Sequence, residues 1–326
     1  MNSREQTPDW IKGVAIVLMV YGHITHIGSW ATWQKQAVEF IYTFHMPLFL
    51  MMSGYFFKAS DLDPGAAFQR LCKRLVLPYV VFLSLYLVGL VVIQRFGIHT
   101  ANLPPQSMFD FVRIVLVNPR GAYWFIHTLI VIQLSFIAAR SITLHLVPRN
   151  TLFWPMACAL LVLACVVGLC GPRTVVFFAV GLLLRQLNLA LPSSITFGAL
   201  GVGLIGWLSA TGIYVFSVAQ VLWCLAILAL LAGVGRAWQG SRTVAMFAWL
   251  GRNSLPVLVL HALFIVLMKP VSNWSLRLEP SGTVYSLLVT AATIAGCLGV
   301  ALLLDWIKLS QYTFGVQAVY SPRRTA

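Results

Sequence analysis

The chain has 326 residues, of which 60% are hydrophobic and only 9% charged, with a mean hydropathy of +0.87. So little polar surface cannot cover a soluble globule of this length, which excludes a water-soluble enzyme and leaves an integral membrane protein. The net charge of +14 raises nucleic acid as a partner, but no basic cluster carries interleaved aromatics, and basic residues of membrane proteins collect in cytoplasmic loops.

Long apolar runs recur to the C-terminus, separated by short breaks carrying Arg, Lys, Pro or Gly, and such runs are too long for barrel strands. The predicted fold is all-α, a polytopic bundle of about ten transmembrane helices. In chain order they cover residues 10–28, 38–57, 75–94, 123–140, 152–169, 174–187, 195–210, 214–235, 253–268 and 283–304. Ser29-Trp30-Ala31 has the small residues of a signal-peptide cleavage site. The first run is nevertheless long enough to span a bilayer and another follows at once, so it is read as a retained helix. With the N-terminus inside, fifteen of the 22 Lys and Arg residues, from Arg4 and Lys12 to Arg323 and Arg324, face the cytoplasm, so both termini are placed there. Residues 1–310 form the transmembrane domain and 311–326 a short cytoplasmic tail.

Between the spans, residues 58–74 form a cytoplasmic loop with the densest positive cluster, Lys58, Arg70, Lys73 and Arg74, beside Asp61 and Asp63. On the other side, residues 95–122 hold Met108, Phe109, Phe111, Val112, Ile114 and Val115 interrupted by Asp110 and Arg113, the pattern of an interfacial or re-entrant segment. The six cysteines form no CxxC and read as small buried residues, with neither disulfide nor metal implied. No internal repeat or pairing of broken helices argues for a secondary transporter.

Three histidines, His23, His45 and His261, are singled out within the spans. Each alone would serve as a helix-bridging hydrogen-bond donor; three in one bundle point to a polar internal site. Histidine ordinarily titrates near neutrality, so His23 suits deprotonating a hydroxyl. Lys12 precedes it by eleven residues on the same helix face, about 16 Å away, with Lys12 at the membrane surface and His23 deep inside. Glu39, at the outer start of the second helix, is the one acid placed to orient His23 or His45. Pro47 deprives the Thr43 carbonyl of its helical partner, so a kink is expected beside His45. Ser53-Gly54 offers a hydroxyl, better explained by close helix packing than by nucleophilic attack. Leu250-Gly251-Arg252-Asn253-Ser254-Leu255-Pro256 reads as a turn and helix start, with Asn253 or Ser254 as cap. A helix N-terminus beside Arg252 suits an anion, and with Lys12, Arg70, Lys73 and Arg74 it would form a cytoplasmic mouth for a polyphosphate. Topogenic charges meeting anionic membrane lipids would give the same pattern.

Several runs resemble the membrane-bound acyltransferase-3 (O-acyltransferase) family, especially its fucose-4-O-acetylase-like members. They are Asp9-Trp10-Ile11-Lys12-Gly13 leading to Tyr21-Gly22-His23; Phe44-His45-Met46-Pro47-Leu48-Phe49 leading to Ser53-Gly54-Tyr55; Lys73-Arg74-Leu75 with Pro78-Tyr79; Trp124-Phe125; Phe177-Phe178 with Gly181; and Leu250 to Ser254 leading to His261. The resemblance implies transfer of an acyl group, commonly acetyl from cytoplasmic acetyl-CoA, to a hydroxyl of a glycan or lipid-linked sugar at the cell (inner) membrane. It puts the catalytic residue at His23, as general base or acyl carrier. The family's basic residue eleven positions earlier, often arginine, is Lys12 here, and its arginine pair falls on Arg70 with Lys73 or Arg74. Donor binding is therefore expected at Lys12, Arg70, Lys73, Arg74, Arg252 and Asn253, with no metal. Acceptor binding is expected at His45, Glu39, Ser53, Trp124, Arg173 and His261, with Trp124 stacking on a sugar. The rival readings are a transporter or flippase of a lipid-linked sugar or small anion, and a non-enzymatic companion of polysaccharide-assembly proteins.

Overall fold

The computed structural model describes residues 6–59, 62–95, 102–146, 150–208 and 212–320, so Arg4, Glu5, Asp61, Arg149, Arg323 and Arg324 lie outside the described residues. Among those described, the chain holds helices and no strand. In order they are α1 (Thr7–His23), α2 (Ala31–Tyr42), α3 (His45–Phe56), α4 (Pro64–Leu71), α5 (Leu77–Arg95), α6 (Met108–Leu116), α7 (Trp124–Leu146) and α8 (Phe153–Val166). They continue as α9 (Pro172–Gln186), α10 (Ile195–Leu208), α11 (Val218–Ala237), α12 (Arg242–Arg252), α13 (Ser254–Met268), α14 (Val271–Leu278), α15 (Thr283–Trp306) and α16 (Ser310–Thr313). Among the described residues four helical stretches, Pro64–Arg95, Gly121–Leu144, Val218–Ala237 and Thr283–Trp306, are long and apolar enough to cross a membrane. A fifth arises if α12 and α13, bent by 79°, count together. The remaining predicted runs contain shorter helices; α8 and α10 have 14 residues each, about 21 Å at a 1.5 Å rise against a hydrocarbon core of about 30 Å.

Local chemistry moves two boundaries from their predicted places. The second run is two helices rather than one kinked helix, because the ladder stops at Thr43 and Phe44. Pro47 has no N–H for the Thr43 carbonyl, which accepts instead from Gln220 Nε2 at 3.3 Å, while Thr43 Oγ1 accepts from Trp223 Nε1 at 2.9 Å. The expected loop at 58–74 is largely helical: Asp63 caps α4 through the Gly65 N–H, and α4 runs through a π-helical turn, Cys72–Val76, into α5. By contrast α6 is the amphipathic segment its pattern predicts. Ser107 caps it, and Met108 and Phe109 are 77% and 79% exposed, as a helix lying in a membrane interface requires.

The chain divides into two compact units, Met1–Phe57 with Val176–Cys297, and Lys58–Val175 with Leu298–Ala326. In the first, glycines let helices meet backbone to backbone. A Cβ on Gly13 would fall 1.9 Å from the Phe247 carbonyl oxygen, and one on Gly251 1.9 Å from that of Asp9, so α1 and α12 meet where no side chain would fit between them. The same device joins α3 to α9, where a Cβ on Gly54 would meet the Phe178 oxygen at 2.0 Å. In the second unit, Tyr79 and Tyr123 donate to the carbonyls of Val115 and Phe82. Phe314, 2% exposed, packs on Phe82 with ring centroids 5.0 Å apart. The Asp305 carboxylate accepts from the backbone N–H groups of Val319 and Tyr320, so the first residues of the predicted tail fold back onto this unit.

Candidate active site

His23 is the last residue of α1, beyond which Ile24 turns extended (φ −75°, ψ 144°). Its Nδ1 lies 2.7 Å from the Met19 carbonyl oxygen, and a carbonyl can only accept, so Nδ1 carries the proton and Nε2 the free lone pair. The same rule fixes His45 on the Ile41 oxygen at 2.9 Å and His261 on the Val257 and Leu258 oxygens at 3.0 and 3.1 Å. All three rings thus present Nε2 as an acceptor, but only His23 is exposed; His45 and His261 are 3% and 1% exposed.

The three histidines share one wall. The His261 ring meets that of His23 edge-on, centroids 5.1 Å apart. Tyr42 lies 6.2 Å from His23 and stacks on His45 at 5.1 Å. Its hydroxyl donates to the Gly22 carbonyl at 2.6 Å, and a Cβ on Gly22 would strike the Tyr42 ring at 2.6 Å. Tyr42 therefore holds the end of α1, a role sequence reasoning missed because a tyrosine near a helix end reads as an interface anchor.

The segment after His23 is clamped to the turn before α15. Ser29 and Trp30 donate through their backbone N–H groups to the carbonyls of Pro280 and Ser281, and a Cβ on Gly282 would fall 1.8 Å from the Ile27 oxygen. Buried beneath, His26 Nδ1 donates to Gln34 Oε1 at 2.9 Å and to Ser286 Oγ at 3.1 Å. Ile24 packs with Tyr285 and Val289. None of these residues carries a sequence signal beyond polarity within an apolar run.

At the start of α1 the buried Asp9 carboxylate meets Lys12 Nζ at 2.8 Å and Arg252 Nη1 at 3.7 Å. Asn253 occupies the position before α13 but does not cap it; its Nδ2 turns back to the Trp249 carbonyl at 2.8 Å. In the other unit Arg70, Lys73 and Arg74 are all exposed, on the last turn of α4 and the π-helical turn, and no described acid pairs with them. Their availability fits a polyphosphate ligand.

The other predicted residues are less engaged. Glu39 is exposed and bonds to neither His23 nor His45, so the orienting partner is a backbone carbonyl rather than a carboxylate. Ser53 Oγ donates to the Phe49 carbonyl of its own helix at 2.8 Å. Trp124 and Arg173, both half-buried, belong to the second unit.

A sequence profile of the acyltransferase domain of the acyltransferase-3 family matches residues 6–304. The chain belongs to this family. Among curated proteins it is similar to the nodulation protein NolL of Mesorhizobium japonicum, 29% identical over 149 residues. That alignment covers 44% of this chain and 37% of the relative. The nodulation protein NolL of Sinorhizobium fredii is 30% identical over 132 residues, covering 38% of this chain and 34% of the relative. The chain thus matches little more than a third of each relative's length. No solved structure matches. Within the acyltransferase, the profile takes in the histidine wall, the Asp9 cluster and the exposed basic cluster.

Proposed function

We propose that this membrane acyltransferase moves a short acyl group, acetyl first among them, from cytoplasmic acetyl-CoA to a hydroxyl of a glycan or lipid-linked sugar, within the cell's inner membrane and with both termini cytoplasmic. The observation that carries the reading is the exposed His23 ring, whose Nδ1 is committed to the Met19 carbonyl and whose Nε2 lone pair is left to take a proton. His23 Nε2 accepts the acceptor's hydroxyl proton as the oxygen forms its bond to the acyl carbon. The carbon–sulfur bond breaks, and His23 returns the proton to the departing thiolate. A two-step route, with the acyl group carried on His23 Nε2 before passing to the sugar oxygen, uses the same nitrogen. His261, His45 and Tyr42 hold the ring in place and line the approach.

Arg70, Lys73 and Arg74 are the proposed contacts for the donor's phosphates, their exposed cations forming charge-assisted hydrogen bonds to phosphate oxygens. In the first unit, Arg252 with Asn253 is proposed separately as an anion contact at the bend between α12 and α13. In the first unit Glu39 and Ser53 are proposed acceptor contacts; in the second, Trp124 and Arg173 are proposed by themselves as a sugar-holding pair, with Trp124 stacking on a sugar face. Purified protein given radiolabelled acetyl-CoA and candidate glycans tests the reading. Labelled ester that vanishes in a folded His23→Ala variant supports it, whereas ligand uptake into vesicles without acyl turnover would establish transport. Comparing glycan O-acetylation in cells with and without the gene then identifies the acceptor.

A further inference from the structure

Asp9 is the single fully buried carboxylate among the described residues, 1% exposed. The backbone around it is closely packed. Gly251 seats its carbonyl against the α12 backbone, and the neighbouring Trp10 is tied to the Leu231 carbonyl at 3.0 Å and packed edge-on against Phe247. A carboxylate held so deeply needs a cation, and of the described residues Lys12 and Arg252 stand beside it unequally. Lys12 Nζ touches Oδ1 at 2.8 Å and also lies over the Phe56 ring, 5.4 Å from its centroid. Arg252 reaches Oδ2 only at 3.7 Å, beyond hydrogen-bond length, and is the more exposed, 34% against 22%. A phosphate drawn to Lys12 would meet the Asp9 carboxylate behind the same nitrogen, a like-charge approach that strengthens as water is excluded.

We propose that Lys12 is a positioning residue: it neutralises the buried Asp9 carboxylate and so holds α1 against the α12–α13 bend, leaving Arg252 as the cation of this cluster that faces an anionic acyl donor. The role of Arg252 rests on the donor reading above; the pairing of Lys12 with Asp9 does not.

Rescue separates these parts. Removing one partner of a buried pair strands the other's charge, whereas replacing both by neutral groups of similar size is often harmless. Three variants of the full chain in detergent are compared for unfolding midpoint, acetyl-CoA affinity and acyl turnover: Lys12→Met, Asp9→Asn with Lys12→Met, and Arg252→Gln. Lys12→Met is expected to unfold at a lower temperature with little turnover. The double variant should recover the midpoint and bring turnover and affinity to within about threefold of wild type. Arg252→Gln should keep its midpoint while acetyl-CoA affinity falls about tenfold, the loss of one charge-assisted hydrogen bond. The proposal is overturned if Lys12→Met matches wild type, if the double variant does not regain stability, or if it regains stability yet still fails to bind acetyl-CoA. Absence of acetyl-CoA binding in the wild type would instead refute the donor reading, with the midpoints still deciding the Lys12–Asp9 pairing.

Discussion

At the scale of single residues, His23 is set apart by the exposure of its ring rather than by being a histidine in an apolar run. His45 and His261 satisfy Nδ1 on a backbone carbonyl in the same manner, and His26 on the side chains of Gln34 and Ser286, yet all three are buried while His23 is exposed. Replacing His23 by Gln should keep the side chain's length and polarity but remove the base, and turnover should fall by about 10²–10⁴-fold. Equilibrium binding of acetyl-CoA, measured beside it, should be unchanged. Tyr42 gives a graded test of how the ring is held. Tyr42→Phe deletes the bond to the Gly22 carbonyl and should cost about 1 kcal/mol of stability with modest loss of turnover. Tyr42→Ala also removes the stack on His45 and should lower turnover far more. His23 was legible as a candidate because an ionisable group in a membrane helix is costly to keep without a use. Its partner was not, since sequence directs attention to the eight acids, and the group that orients the ring is a main-chain carbonyl.

At the scale of elements, helix ends decide where the chemistry sits. Pro47 announced a free Thr43 carbonyl, but only the packed structure shows that Gln220, 177 residues away, satisfies it and that the helix breaks there. Gln220→Leu should therefore destabilise by about 1–3 kcal/mol, the cost of a buried carbonyl losing a partner, read as a lower unfolding midpoint. A second device is the turn before α15. Glu279 accepts from the N–H groups of Ser281 at 2.7 Å and Val284 at 3.2 Å. Hydrogen bonding at Ser281 holds its carboxyl below the ordinary carboxylate range. A depressed acid stabilises the turn above its unfolded pKa and loses that contribution as pH falls through the folded value. Protection of the Ser281 and Val284 amides against hydrogen exchange should accordingly be full near neutrality and decline in acid, while Glu279→Gln should flatten the dependence. Protection unchanged by acid would mean that the carboxylate does not organise the turn.

At the scale of the whole molecule, orientation is the property on which the donor reading depends. Charge distribution predicts Arg70 inside and Lys35 outside. Single cysteines at these positions in a cysteine-free background should report it. The residue at 35 should react with an impermeant maleimide in intact cells, and the residue at 70 only after permeabilisation. Labelling at 70 from outside would remove the exposed basic cluster as a site for a cytoplasmic donor. Membrane character itself needs no such test, since the apolar spans and the family match agree on it.

Sequence by itself determined the solvent and the helical class, and it singled out a candidate for the reactive group. Composition left no surface for water, apolar runs of helical length recurred along the chain, and a histidine stood where burial is expensive. Tertiary structure decided which groups meet. Asp9 is separated from Arg252 by 243 residues, Tyr42 from Gly22 by a turn whose direction no periodicity gives, and Trp223 from Thr43 by 180. These pairings follow from which helix faces pack, and in a chain apolar on nearly every face the hydrophobic pattern does not mark the contact side. Close glycine packing at Gly13 and Gly251 brings α1 and α12 together. That approach sets Lys12 beside a buried carboxylate.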